Sequence, residues 1–264
     1  MANVHTLPDE ILLMLFTFLP LKSLISSRGV CKLWRSLIPS ASLNSSRRRL
    51  LHFFLRAVHQ DNRTIPFPDK IQHNIISRQL HNFDRSTYLQ RLPIGLPSDF
   101  ETWIFEWPIK AVIGGIWPGL KYPVRYHHRP QNCLETIVEA EHLVEVVLVS
   151  PDADAETVQA ASTPLTHVLK IGGAFSMLDE GGSANSLQVV SVKMLKVAFV
   201  PQLAYMFGCI QEGCSWYLVV DVKTEAAKGL HGSVLSVLND LRSASIVARS
   251  WVDFLGSELV ERSY

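Results

Sequence analysis

Several residues in this chain are of types that do chemistry, and their spacing decides whether they can act together. Cys209 and Cys214 flank four residues, and His127-His128 offers a second pair of soft ligands. A structural zinc site needs a full tetrahedral set, normally two closely spaced pairs in matching halves. No matching half exists here, so the two cysteines read as residues flanking a turn. Ser176 and Ser233 lie beside or near glycines, and His167 is one of ten scattered histidines that could serve as a base. A serine nucleophile of the hydrolase kind sits in a G-x-S-x-G elbow, and the sequence has none. Nor does it contain a phosphate-cradling GxxxxGK[ST] or G-x-G-x-x-G. Gly114-Gly115, Gly172-Gly173 and Gly181-Gly182 therefore read as turns. Arg47-Arg48-Arg49 with Arg56 is the one concentrated cationic group. It is small beside the roughly six to ten phosphate contacts of a strong nucleic-acid binder. No aromatic stacking platform is interleaved with it. It is expected to be the basic first turn of a solvated helix. No catalytic group, metal or cofactor is expected, and no nucleic-acid partner.

The elements that must carry these residues follow from apolar spacing and from Pro and Gly punctuation. Thr6-Leu7-Pro8-Asp9 resembles a capping-box start. Ile11, Leu12, Leu15, Phe16 and Leu19 then recur at helical spacing until Pro20. A second short helix is expected from about Leu21 to Arg28. A third shows Val30, Leu33, Trp34, Leu37 and Ile38 on one face and stops at Pro39. Residues 46–59 read as a further helix, basic at its start, and residues 60–82 as the link onward. Pro97-Ser98-Asp99-Phe100-Glu101 opens a helix with a capping box, carrying Phe100, Trp103, Ile104 and Trp107 before Pro108. From Leu143 the texture changes to short β-branched runs: 143–149, 165–171, 187–200, 203–210, 215–222 and 232–238, parted by Gly, Pro or Asp. A final helix is expected from Ser245 to Val260. Helices, then consecutive strands, then a terminal helix make an α+β fold: a three-helix N-terminal unit followed by a mostly antiparallel sheet with flanking helices.

Composition sets limits on partners. The 264 residues include 25 Lys+Arg and 24 Asp+Glu, and 47% are hydrophobic. Such a chain is not disordered overall, and it has no global positive excess for nucleic acid. The charge is nonetheless uneven. Residues 1–60 hold eight basic and two acidic side chains, whereas residues 135–160 hold seven acidic and no basic ones. The acidic run is interleaved with strand residues and reads as a solvated face, not a metal cage. A short basic head and an acidic body suggest two units. No apolar run approaches the roughly 18 residues of a membrane helix. Ile11–Leu21 is apolar, but Asp9 and Glu10 precede it without Lys or Arg, so a secretion signal is not expected. Four irregularly spaced cysteines (Cys31, Cys133, Cys209, Cys214) suit a reducing compartment, the cytoplasm or nucleus.

Leu7 to Ile38 strongly resembles the F-box. The resemblance rests on the opening Leu7-Pro8-Asp9-Glu10, Ile11, Phe16-Thr17-Phe18-Leu19, Leu24 and the closing Val30-Cys31-Lys32-x-Trp34-Arg35. Arg28-Gly29 departs from the usual small-to-apolar run and reads as a helix break. Three short helices cannot bury this many apolar side chains among themselves, so part of the surface should be covered by another chain. The resemblance implies a Skp-family adaptor as that partner, joining the chain to a cullin–RING ubiquitin ligase. The expected contact residues are Leu7, Pro8, Ile11, Leu15, Phe16, Leu19, Leu24, Val30, Cys31 and Trp34. Trp34, Pro8 and Leu7 would be its anchors, because central aromatics dominate binding energy.

The body resembles the SUKH (SMI/KNR-type) superfamily. Tyr88-Leu89, Leu96-Pro97 and Phe100 are similar to its helical entry. Gly208-x4-Gly213-x2-Trp216 to Asp221, then Gly232-Ser233-Val234, are similar to its paired strands, and Ser250 to Leu255 to its terminal helix. Many basidiomycete F-box proteins join such a body to an F-box, and this chain resembles them. The resemblance implies an F-box over residues 1–45, a helical linker over 46–84 and a substrate-binding body over 85–264. It also implies a substrate-recognition subunit that does no chemistry. A hydrolase-like site on the body is the alternative, as is an F-box protein acting outside ubiquitination.

Overall fold

The computed structural model describes residues 7–59, 84–92, 95–108, 113, 116–118, 131–134, 143–149, 156, 167–172, 189–201, 213–223, 225–238 and 243–260. Thr6, His127, His128, Ser176, Cys209 and residues 203–210 lie outside them.

The chain begins with α1 (Asp9–Phe18), α2 (Leu21–Ser27) and α3 (Lys32–Leu37), the last running into a 3-10 turn at Ile38–Ser40. Pro8 occupies the N-cap of α1 with no side-chain cap; its carbonyl accepts from the N–H of Ile11 at 3.1 Å and of Leu12 at 3.2 Å. Asp9 and Glu10 place negative charge in the first turn, where the helix dipole favours it. Cys31 caps α3, its sulfur accepting from the Trp34 N–H at 3.5 Å. Then come α4 (Ser45–His59), α5 (Arg85–Gln90) and α6 (Ser98–Glu106). The expected capping box at Ser98 is absent: Pro97 is the N-cap of α6, and the Ser98 hydroxyl instead accepts from that of Ser46 at 2.8 Å.

The strands are β1 (Gln131–Asn132), β2 (Leu143–Val149), β3 (His167–Gly172), β4 (Val189–Pro201), β5 (Gly213–Val222), β6 (Val234–Leu238) and β7 (Ser243–Ala248), followed by α7 (Trp251–Val260). Five of the seven neighbouring pairings are antiparallel, and β3 lies parallel to both β2 and β7. The α+β architecture is as expected, but one strand differs. Residues 243–248 do not begin the terminal helix; they pair antiparallel with β6 and parallel with β3. The helix starts with Ser250 capping its first turn. The Asp253 N–H donates to Ser250 Oγ at 3.2 Å, and that hydroxyl donates to Asp253 Oδ2 at 2.6 Å.

The ladder closes on itself. The order β4-β2-β3-β7-β6-β5 returns to β4 through a second antiparallel pairing, with β1 attached to the far end of β4. Register shifts at Lys193/Met194 and Lys196/Ala198 bend the long β4 so that it can serve both neighbours. Alternation then sorts the side chains. Val192, Met194, Tyr217, Val219, Leu235 and Val237 fill one cluster, whereas Leu195, Val197, Leu218 and Val220 face the helices.

The second cluster is continuous from the N-terminal helices to the sheet, running through Phe16, Leu24, Leu50, Phe53, Trp103 and Phe254. Its centre is aromatic. Trp103 lies 4.8 Å from Trp117 and 4.9 Å from Trp251, and Phe100 meets Trp251 edge-on at 4.9 Å. Edge-to-face pairs of this kind add about 0.5–1.5 kcal/mol each beyond burial. Helix α4, expected as the start of a linker, lies within this core through Leu50, Leu51 and Phe53.

Candidate partner-binding face

Helix α1 is apolar on two sides. Leu12 and Phe16 point inward and are fully buried. Ile11, Met14, Leu15 and Phe18 point outward at helical spacing, making one continuous stripe, and Leu7, just before the helix, is exposed as well. Phe18 is 76% exposed. Val30 (59% exposed) and Leu33 from the start of α3 are also open to solvent. A helix that is hydrophobic all round is one that expects cover on both sides.

Of the ten expected contact residues, Leu7, Pro8, Ile11, Leu15 and Val30 are exposed, and Leu19, Cys31 and Trp34 are half-buried. Phe16 and Leu24 are wholly enclosed by this chain's own core. Trp34 has a double character: its ring meets Phe16 edge-on at 5.4 Å, and its indole N–H is buried without a hydrogen bond among the described residues. Met14, Phe18 and Leu33 complete the open face and were not in the expected set. The signal was there in the sequence. Counting three, four and seven residues on from Ile11 brings up Met14, Leu15 and Phe18 as a second apolar stripe.

The basic run is exposed at Arg48, Arg49 and Arg56, as expected, but it is also tied to distant parts of the chain. Arg47 grips Glu106 of α6 with two hydrogen bonds, Nε to Oε2 at 2.8 Å and Nη2 to Oε1 at 2.5 Å, and its Nη1 donates to the Thr17 carbonyl at 3.3 Å. The same Oε2 accepts the Leu21 N–H at 2.7 Å. The Glu106 hydrogen bond raises the Arg47 pKa, against burial, which lowers it. Arg48 donates to the Ala41 carbonyl at 2.9 Å. Arg49 pairs with Asp99 at 2.7 Å, donates to Ser250 and reaches Asp253 at 3.6 Å. The ion pairs of Arg47 and Arg49 are not legible in the sequence because their acidic partners lie far along the chain. Through Thr17 and, by way of Glu106, Leu21, Arg47 fastens α1 and the start of α2 to the body.

Ser233 is buried and its hydroxyl points to the Arg249 carbonyl at 3.5 Å. The Cys133 thiol is pushed up by burial, partly offset by Lys196. Glu145 of the acidic stretch is exposed and pairs with Lys223, whose hydrogen bond lowers its pKa. Among the described residues no group of His, Cys, Asp and Glu is placed to hold a metal ion. No helix among them is long and apolar enough to cross a membrane.

Comparison with known proteins adds one match. The family model described as F-box-like matches residues 4–44, which cover α1, α2, α3 and the 3-10 turn. No curated protein and no solved structure matches the chain. The N-terminal unit is thus an F-box-like domain, a type of domain that serves protein–protein recognition.

Proposed function

We propose that this chain is the substrate-recognition subunit of an SCF-type ubiquitin ligase. The open face of α1 and α3 binds a Skp-family adaptor, and the body holds a protein target. The observation that carries this reading is the apolar stripe Ile11, Met14, Leu15 and Phe18 on an F-box-like domain, left uncovered while the opposite side of the same helix is fully buried. The rivets from Arg47 and Arg49 support it further, since a ligase subunit gains from holding its two binding sites in fixed relation. The chain itself then does no chemistry. It raises the local concentration of target lysines beside the charged enzyme, as a linked bivalent binder does. Work of this kind belongs in the cytoplasm or nucleus.

The resemblance of the body to the SUKH superfamily supports a binding scaffold. The residues that carry it, where described, lie in α5, at the start of α6, in β5, in the turn into β6 and in α7. The test is co-purification of the full chain with a Skp-family adaptor, comparing the parent with Phe18→Asp. Stoichiometric capture that the variant loses supports the reading. Equal capture by both, or by neither, sinks it. Adding the cullin and RING subunits then separates a ligase subunit from a protein that acts with the adaptor alone.

A further inference from the structure

Helices α4 and α7 leave an open cleft of about 500 Å³ between them, lined by Arg49, His52, Leu55, Arg56, Val252 and Asp253. Arg49, His52 and Arg56 stand three and four residues apart, so they form one stripe on α4. The local carboxylates are already committed. Asp99 holds Arg49 at 2.7 Å, and Asp253 Oδ2 takes the Ser250 hydroxyl at 2.6 Å and faces Arg49 at 3.6 Å. His52 and Arg56 are exposed and make no hydrogen bond or ion pair among the described residues. Between these polar groups lies an apolar floor, the half-buried Leu55 and the buried Val252.

We propose that this cleft is where the body takes hold of its target, and that the element taken is an extended acidic peptide segment bearing an apolar side chain. The proposal rests on the ligase reading for the consequence of capture, not for the capture itself. Carboxylates of the segment pair with Arg56 and with the solvent side of Arg49. An apolar side chain between them settles on Leu55 and Val252. The charge is too sparse for a nucleic-acid track, which takes roughly six to ten phosphate contacts. The lining also lacks an aromatic platform for bases. Position argues for the same role. Helix α4 is fastened at its N-terminal end to α1 through Arg47 and, by way of Glu106, to the start of α2, so a segment held along α4 stands in fixed relation to the adaptor face.

The probe is a fluorescein-labelled pool of nonapeptides with Asp or Glu at every position but the centre, which is Leu, Val or Phe. Anisotropy is read with the full chain, the double variant His52→Glu/Arg56→Glu, and an oligouridylate of equal charge. The parent chain binds the acidic pool in preference to the RNA. The double variant weakens pool binding by about tenfold or more, as loss of complementary charge at a contact does. Both substituted side chains are exposed, so thermal melting stays that of the parent. Equal peptide binding by parent and variant, no binding by the parent, or preference for the RNA overturns the proposal. Adaptor capture is measured on the same samples. Its absence in the parent sinks the ligase reading alone, and its persistence in the double variant shows that the two sites are separate.

Discussion

Glu106 Oε2 accepts hydrogen bonds from both the Arg47 guanidinium, at 2.8 Å, and the Leu21 backbone N–H, at 2.7 Å. One carboxylate on α6 therefore ties down the start of α2 and the start of α4. Both partners of the ion pair are largely shielded, with 22% of the Arg47 side chain and 11% of the Glu106 side chain exposed. Shielding makes the pair costly to break from one side, because the remaining charge is left without a partner.

Glu106→Ala should therefore destabilise the chain by on the order of 3 kcal/mol. Glu106→Gln should cost less, since its amide oxygen can still accept the Leu21 N–H. Urea unfolding measures both. Two variants within error of the parent would show that the pair is decoration.

The open face of α1 predicts a separation of stability from binding. Phe18→Asp changes a side chain that is 76% exposed, so unfolding should shift by no more than about 0.5 kcal/mol while adaptor capture is lost. Trp34→Ala should behave differently. Its ring packs on Phe16, so the variant should lose roughly 2–4 kcal/mol of stability along with any loss of binding. If Phe18→Asp unfolds the domain and Trp34→Ala does not, the inner and outer faces have been assigned the wrong way round.

The contrast between these two residues shows what was legible. Apolar spacing and proline stops located α1, α2 and α3, because those are local signals. They did not decide which stripe of α1 faces inward, since Leu12 and Phe16 are as apolar as Ile11 and Phe18; only packing against the body separates them. The same limit explains Ser243–Ala248. Small residues ahead of a helix read as its first turn, but pairing with β6 and β3 draws them into the sheet. The ion pairs of Arg47 and Arg49 were not legible because Glu106, Asp99 and Asp253 are distant in sequence. Closure of the sheet through β4 and β5 depends on two irregularities in register, which a period-two pattern does not announce.

Gly232 predicts a backbone effect. Its φ is +87°, and a Cβ there would meet the Pro97 ring at 3.3 Å, next to the start of α6. Gly232→Ala should cost about 1–2 kcal/mol from the left-handed backbone alone. Because Gly232 also donates its N–H to the Val219 carbonyl at 2.9 Å, amide exchange in the β5–β6 turn should quicken in the variant. An unchanged exchange rate and midpoint would mean that the turn readjusts freely.

Tyr88 and Tyr217 predict how the fold responds to alkali. The Tyr88 hydroxyl donates to the Leu134 carbonyl at 3.1 Å, and burial holds its pKa well above the ordinary phenol range. Burial raises Tyr217 as well, opposed by a hydrogen bond with Ser215 and assisted by Cys133. A raised folded-state pKa means that the folded chain keeps these protons after the unfolded chain has lost its own. Their contribution is thus complete below a pH of about 10 and is lost as pH rises through the folded values. The sequence has six tyrosines, so absorbance at the tyrosinate band should rise in two phases. The later phase should coincide with loss of near-ultraviolet circular dichroism from the tryptophan cluster. Tyr88→Phe should shrink that phase and flatten the alkaline slope, at a cost of about 1 kcal/mol at neutral pH for the lost hydrogen bond. A single phase near the ordinary phenol pKa, with the fold intact, would show that water reaches both hydroxyls.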